Sequence, residues 1–145
     1  MKEARENCIF CAILEGDAPV STIFEDELCC AFMDIRPVNP GHALVIPKVH
    51  APYLKTLNPD MGGRLFQVAM RVAEGLRHSG IPCEGINLFL ADGEVAMQEV
   101  FHVHLHVLPR TRGDEFGLRF PLHYGNLPRR DELDTNARRI ANAMG

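Results

Sequence analysis

Residues 101–108, FHVHLHVL, alternate histidine with large apolar side chains, and no other part of the chain constrains the fold as strongly. Successive side chains of a β-strand point to opposite faces of the sheet. His102, His104 and His106 are therefore predicted to share one face, and the apolar residues between them belong to a core. Three imidazoles on one face indicate a metal site or a site that uses imidazole as a nucleophile, and three coincidental surface histidines are the weaker explanation.

The other apolar segments predict an α+β domain with an antiparallel sheet. A long helix is predicted to begin after Asn58, a good N-cap residue, with Pro59 at the first helical position and Gly80 at its end. A short helix is predicted over 131–143. Strands are predicted over 21–24, 28–33, 42–47, 85–91 and 101–108. Short links between neighbouring strands favour antiparallel pairing.

Composition excludes several classes of protein. The chain has 145 residues, 46% of them hydrophobic, and a net charge of -4, so it can bury one core and is not expected to be disordered. A general nucleic-acid binder would carry a basic face. No apolar run approaches the ~20 residues that span a bilayer, and the first residues lack the apolar stretch of a signal peptide. We therefore expect a cytoplasmic protein with no nucleic-acid and no membrane partner.

Five cysteines in a chain with that expected location make a disulfide framework improbable. Cys8 and Cys11 form a C-x-x-C motif, which has three explanations: half of a zinc site, a redox pair, or chance. The redox explanation is weakened because no strand is predicted before the motif. Two histidines would complete a tetrahedral Cys₂His₂ zinc site. Cys29, Cys30 and Cys83 are expected to be small core residues.

The segment 102–108, with its H-φ-H-φ-H-φ-φ pattern, resembles the signature of the histidine-triad (HIT) family of nucleotide hydrolases and transferases. Segments 32–35 and 40–50 resemble the nucleotide-binding half of that family, and 8–11 resembles the opening of its zinc-bearing bacterial branch. The resemblance covers about residues 8–112. It implies a HIT-like fold, with about five antiparallel strands and one long helix.

The same resemblance implies a HIT domain over 1–112, a C-terminal extension over 113–145, and a homodimer. It also implies an enzyme that cleaves a phosphorus-linked group from a nucleoside monophosphate derivative. The substrate would be a phosphoramidate, a dinucleoside polyphosphate or a related adenylylated compound of purine nucleotide type. The alternative is a nucleotide-binding regulatory protein with low turnover.

Catalytic roles follow from the resemblance. His104, the middle histidine, would attack the α-phosphorus and form a nucleotidyl-histidine that water then hydrolyses. His106 would contact the phosphate or the leaving group and help to protonate the latter. His42 would support this cluster, and His102 would help to hold the arrangement. Imidazole suits the role of nucleophile because its ordinary pKa of about 6.5 leaves it largely neutral at pH 7.

Nucleotide-binding roles follow in the same way. Asp34 matches the acidic residue that accepts hydrogen bonds from the ribose hydroxyls, although it could instead cap the turn that follows. Gln98 matches the glutamine on the phosphate side, where its amide can donate to a phosphoryl oxygen. Four residues match apolar positions around the base, and ordinary core residues are an equal alternative for them: Ile9, Phe10, Phe32 and Ile35.

The resemblance also implies a structural zinc ion. Cys8, Cys11, His50 and His102 would be its ligands, and four protein ligands close a tetrahedral site. Three positions depart from the family pattern and affect the substrate more than the nucleophile. Met97 stands where glycine is usual, Ala91 where asparagine is frequent, and Glu99 where the purine phosphoramidase branch often has a small hydroxyl residue.

Overall fold

Residues 5–145 are described by a computed structural model of the chain. They divide into two compact units, one ending at Glu115 and the other running from Phe116 to Gly145. The first unit contains the sheet and the longest helix. The second contains the helix at the C-terminal end.

One five-stranded antiparallel sheet organises the first unit, in the spatial order β1-β2-β3-β5-β4. Its strands are β1 Thr22–Glu25, β2 Cys29–Met33, β3 Ala43–Pro47, β4 Gly85–Phe89 and β5 Leu105–Arg110. This confirms the predicted α+β class and the HIT-like arrangement of about five antiparallel strands. Strands β2 and β3 pair over their full lengths, from Cys29 opposite Pro47 to Met33 opposite Ala43.

Helix α2, Pro59–His78, is the long helix that the sequence predicts. The side chain of Asn58 accepts a hydrogen bond from the backbone N–H of Asp60 at 2.9 Å, which confirms Asn58 as the N-cap. Ser79 is the C-cap, and Gly80 follows with a φ of 83°, a left-handed conformation that glycine adopts without steric cost. Helix α3, Arg130–Met144, extends the predicted 131–143 by one residue at each end.

Helix α1, Ile9–Glu15, is not among the predicted elements. It begins directly after Cys8 and buries Phe10 and Cys11. Gly16 ends it in the left-handed conformation, with its backbone N–H bonded to the last turn. The C-x-x-C motif therefore opens a helix, and Gly16 was the local signal that could have revealed it.

The two faces of the sheet carry separate apolar clusters, as period-two alternation requires. Cys29 and Ala31 of β2 pack with α2, whereas Cys30 and Phe32 pack on the other face with the N-terminal residues around α1. Cys29 and Cys30 are buried as predicted. The prediction of a core position for Cys83 is wrong, because that side chain is only half-buried.

The predicted strand over 101–108 is shorter than expected and begins at Leu105. The backbone N–H of Val103 bonds to the carbonyl of Ala51 in a loop, at 2.8 Å, instead of joining a ladder. The alternation of faces nevertheless holds across this segment. Val103, Leu105 and Val107 belong to the cluster beneath α2, and His102 and His104 pack against Phe10 on the opposite face.

Among residues 5–145, no helix is both long enough and apolar enough to cross a membrane.

Candidate functional site

Cys8, Cys11, His50 and His102 meet at one point beside helix α1, where their candidate ligand atoms all lie within 4.8 Å of one another. Cys11 Sγ lies 3.3 Å from His50 Nδ1 and 3.7 Å from His102 Nδ1. Cys8 Sγ lies 3.6 Å from His102 Nδ1. Residues separated by more than 90 positions in the chain thus form the Cys₂His₂ set that the sequence predicts.

The geometry of this set fits zinc. Tetrahedral bonds of ~2.3 Å to sulfur and ~2.1 Å to nitrogen place those two ligand atoms about 3.6 Å apart. His102 Nε2 donates to the carbonyl of Pro47 at 2.8 Å, which leaves the lone pair on Nδ1 facing the thiols. Burial lowers the pKa of His102 to about 4, so the ring is neutral near pH 7. Four protein ligands leave no open position, as in structural rather than catalytic zinc sites.

His104 is buried two residues further along, and its ring has the opposite orientation. Its Nδ1 donates to the backbone carbonyl of His102 at 2.7 Å, which assigns the proton to Nδ1 and leaves the lone pair on Nε2. Burial lowers the pKa of His104, and the carboxylates of Asp34 and Glu99 act in the other direction. A neutral imidazole with an uncommitted Nε2 is the form that attacks an electrophile.

His106 is held by His42, the residue directly before β3. The backbone N–H of Val38 donates to His42 Nδ1 at 3.1 Å, so the proton of neutral His42 is on Nε2. His42 Nε2 in turn donates to His106 Nδ1 at 2.8 Å, which places the His106 proton on Nε2. Burial is the main cause that lowers the pKa of both rings, that of His106 to about 4. His106 therefore presents an N–H donor where His104 presents a lone pair.

The rings of His104 and His106 lie 5.0 Å apart, centroid to centroid. The first is a candidate nucleophile and the second a candidate proton donor, because their outward-facing nitrogens carry opposite hydrogen-bonding character. This pairing of roles depends on the two backbone groups, the His102 carbonyl and the Val38 N–H, that assign the tautomers.

The sequence leaves two roles open for Asp34, capping of the turn that follows and binding of the ribose, and one oxygen of its carboxylate is placed for each. Its Oδ1 accepts from the backbone N–H of Arg36 at 2.9 Å, which caps the turn. Its Oδ2 lies 3.6 Å from His42 Nε2 and so faces the histidine cluster. One oxygen therefore has a structural contact, and the other stays beside the His42–His106 pair.

Gln98 is buried and its amide is fully engaged with the protein. Its Nε2 donates to the carbonyls of Pro52 and Val100 at 2.7 and 3.1 Å, and its Oε1 accepts from the N–H of Gly93 at 2.8 Å. Both amide hydrogens are used in this way. The predicted donation to a phosphoryl oxygen therefore does not match this structure, in which Gln98 fixes the loop that precedes the triad.

The four predicted base-contacting residues divide into two groups. Phe10 and Phe32 are core residues in edge-to-face contact, with ring centroids 5.5 Å apart, and Phe10 also packs on His104 at 5.1 Å. Ile9 and Ile35 are exposed, 51% and 91% respectively. Only the two isoleucines present surface to a ligand.

The three departures from the family pattern have different surroundings. Met97 has a φ of 70°, a left-handed conformation that favours glycine, and its side chain is 71% exposed. Ala91 is buried. Glu99 forms a salt bridge with Arg36 at 3.0 Å, an interaction that no local pattern signals because 63 residues separate the partners.

The comparisons with known proteins agree with this geometry. Residues 15–113 match the HIT domain family. A crystal structure of a HIT family protein from Bacillus anthracis is 38% identical, with 95% of this chain and 97% of that chain covered and a TM-score of 0.86. A Zn-bound histidine triad family protein from Mycobacterium smegmatis is 39% identical, with 96% and 99% covered and a TM-score of 0.75.

A curated relative has a named activity. It is the adenosine 5'-monophosphoramidase of Schizosaccharomyces pombe, which is 38% identical over 112 residues, or 77% of this chain and 80% of the relative. Together with the family match over residues 15–113, these likenesses show that the chain belongs to the HIT domain family.

Proposed function

We propose that this protein is a hydrolase or transferase that cleaves a phosphorus-linked group from a nucleoside monophosphate derivative, through a nucleotidyl-histidine intermediate on His104. The observation that carries the proposal is that the Nε2 atoms of the neighbouring His104 and His106 rings differ in protonation, one with a lone pair and the other with a proton. His104 Nε2 has a free lone pair because Nδ1 donates to the His102 carbonyl. His106 Nε2 has a proton because Nδ1 accepts from His42.

The proposed reaction has two steps. His104 Nε2 attacks the α-phosphorus and forms a P–N bond, while the bond to the leaving group breaks and the departing atom keeps its electron pair. That atom takes a proton from the His42–His106 pair, which carries one extra proton in the complex because the carboxylate of Asp34 and the bound phosphate favour its positive charge; His106 Nε2 delivers the proton and both rings are left neutral. Water then attacks the phosphorus, breaks the P–N bond and returns a proton to the pair.

The phosphoramidase activity named for the Schizosaccharomyces pombe relative supports this class of reaction. In the proposed complex with a purine nucleotide, Asp34 Oδ2 accepts from the ribose hydroxyls, and the exposed Ile9 and Ile35 contact the base. Gln98 acts as a positioning residue through its loop contacts. Zinc on Cys8, Cys11, His50 and His102 has a structural role.

A homodimer is part of the proposal. Strand β4 forms one edge of the sheet, and its Leu88 and Phe89 are exposed. An exposed edge strand offers unpaired backbone groups to a second copy, which would extend the sheet. Phe66 and Met70 on α2 add further exposed apolar surface in the same unit. We propose that the catalytic domain is 1–112, that 113–145 is an extension, and that the protein acts in the cytoplasm.

The intermediate can be tested directly. Native protein is mixed with radiolabelled AMP phosphoramidate, and the reaction is stopped with denaturant under conditions that preserve P–N bonds. We expect label on a peptide containing His104, and no label on the His104→Ala variant. His78→Ala is the matched control, because His78 is an exposed histidine of α2 paired with Glu74. Turnover by native protein without any labelled histidine would contradict the proposed intermediate, and no turnover would favour a regulatory nucleotide-binding protein.

A further inference from the structure

We propose that the Arg36–Glu99 ion pair sets the preference of this site for the charge of the leaving group, so that Glu99 favours leaving groups carrying a cation over those carrying an anion. This inference rests on the proposed function and names the substrate class for it. The preferred substrates would be nucleotides linked to an amine that bears a further positive charge.

Both partners are held close to the reactive histidines by fixed neighbours. Arg36 follows Asp34, whose carboxylate holds the Arg36 backbone N–H at 2.9 Å. Glu99 follows Gln98, which three hydrogen bonds pin to the surrounding loops. The side chains of Arg36 and Glu99 then meet at 3.0 Å across the two loops. The pair therefore has a defined position beside the site.

Contacts link the ion pair to the histidine cluster. Asp34 holds the Arg36 backbone N–H with Oδ1 and places Oδ2 3.6 Å from His42 Nε2, and His42 bonds to His106 at 2.8 Å. The phosphorus must approach His104 Nε2, and the first few atoms of the leaving group are bonded to that phosphorus. A charge on those atoms interacts with the Glu99 carboxylate when the two lie within about one Debye length, ~8–10 Å, of each other.

The ion pair can open at little cost. Arg36 and Glu99 side chains are 81% and 76% exposed, and exposed pairs of this kind contribute little stability. A bound nucleotide phosphate offers the Arg36 guanidinium a competing anion. When Arg36 turns to the phosphate, the negative charge of Glu99 is no longer neutralised. That charge then acts on the leaving group, which is bonded to the phosphorus.

The test uses three AMP phosphoramidates with leaving amines of similar length. Ethylenediamine carries a terminal ammonium, propylamine is neutral and β-alanine carries a terminal carboxylate. We measure kcat/KM for each and take the ratio of the ammonium to the carboxylate substrate, since intrinsic differences between the amines cancel when variants are compared. Glu99→Gln removes one charge near the site, and we expect the ratio to fall by roughly three- to ten-fold.

Arg36→Gln should move the ratio in the opposite direction, because it removes a positive charge from the same region. A merely structural role of the salt bridge would instead change all three substrates alike in both variants. Glu74→Gln is the matched control, because Glu74 forms an exposed ion pair with Arg77 on α2. The ammonium-to-carboxylate ratio of kcat/KM for this variant should equal that of the native protein. Raising the salt concentration to 0.5 M should shrink the Glu99→Gln effect, as expected for screened charges.

The outcomes separate the two proposals. Native protein that cleaves none of the three compounds would contradict the proposed function and this inference with it. Cleavage whose ammonium-to-carboxylate ratio is unchanged in Glu99→Gln would contradict the inference and leave the proposed function intact. A ratio that falls in Glu99→Gln and rises in Arg36→Gln would support both.

Discussion

His102 and His104 are two residues apart on the same side of the chain, yet they present opposite nitrogens. His102 donates from Nε2 to the Pro47 carbonyl and directs its Nδ1 lone pair at two thiols. His104 donates from Nδ1 to the His102 carbonyl and keeps its lone pair on Nε2. Identical side chains thus take different roles because each meets a different backbone acceptor.

The comparison also links the two clusters. His102 contributes its ring to the Cys₂His₂ set and its carbonyl to the orientation of His104. A change in the candidate metal-binding cluster can therefore displace the candidate nucleophile through one residue of backbone. We expect the reverse coupling to be weaker, since removal of the His104 ring leaves all four candidate ligands in place.

The largest expected effect comes from His104→Ala. Loss of the nucleophile should lower kcat/KM by about a thousand-fold or more, which corresponds to about 4 kcal/mol of transition-state stabilisation. Zinc content, measured by elemental analysis, should remain that of the native protein. Residual activity above a few per cent of native, or loss of metal, would show that the two clusters do not have the separate roles proposed.

Cys8→Ser combined with Cys11→Ser tests the other cluster. Binding of a structural metal contributes to folding, so loss of both thiolates should remove the metal and destabilise the fold by roughly 3 kcal/mol, with a fall in melting temperature of about 10 °C. Calorimetry and elemental analysis measure this. Cys83→Ser is the matched control, because that thiol is half-buried and donates only to the Gly85 carbonyl. Native protein purified without chelator and found free of zinc would exclude the metal.

Asp34→Ala separates ribose binding from turn capping. Loss of a charge-assisted contact to the sugar should cost roughly ten- to hundred-fold in kcat/KM for ribonucleotides and less for the matched deoxyribonucleotides. Loss of the cap to Arg36 alone would lower the melting temperature and affect both sugars equally. The ratio of the two kcat/KM values in native and variant protein distinguishes these results.

The smallest effect concerns pH. Burial holds the pKa of His106 at about 4 in the folded chain, below its unfolded value of about 6.5. The folded state therefore binds fewer protons, and the associated stability is present above pH 6.5 and lost as pH falls towards 4. His106→Gln should remove about 1 to 2 kcal/mol of the destabilisation seen between pH 7 and pH 5. Denaturant unfolding of native and variant protein at both pH values tests this.

Local patterns in the sequence predicted a large part of the fold. The five strands, the long helix and its Asn58 cap follow from periodicity and capping chemistry, which depend only on neighbouring residues. The boundaries were less accurate at 101–108, where the Val103 backbone pairs with Ala51 in a distant loop. Helix α1 was not predicted because seven residues give little helical periodicity, and Gly16, which ends the helix, is the one local signal for it.

For the candidate site, the local sequence pattern is enough to establish which residue types share a face. Alternation along 102–107 separates the histidines from the valines and leucine whatever the rest of the chain does. It also supplied two cysteines at a metal-binding spacing. These are local properties, and the structure places the histidines and cysteines accordingly.

What each side chain can do depends instead on contacts between parts of the chain that are far apart in sequence. The tautomer of His102 depends on Pro47, 55 residues away, and that of His106 on His42, 64 residues away. The same is true of Gln98, whose amide hydrogens go to loop carbonyls, and of Arg36, which pairs with Glu99. The physical reason is common to all of them. A ring or amide has interchangeable donors and acceptors, and the partners that the fold brings to it determine which atom remains free.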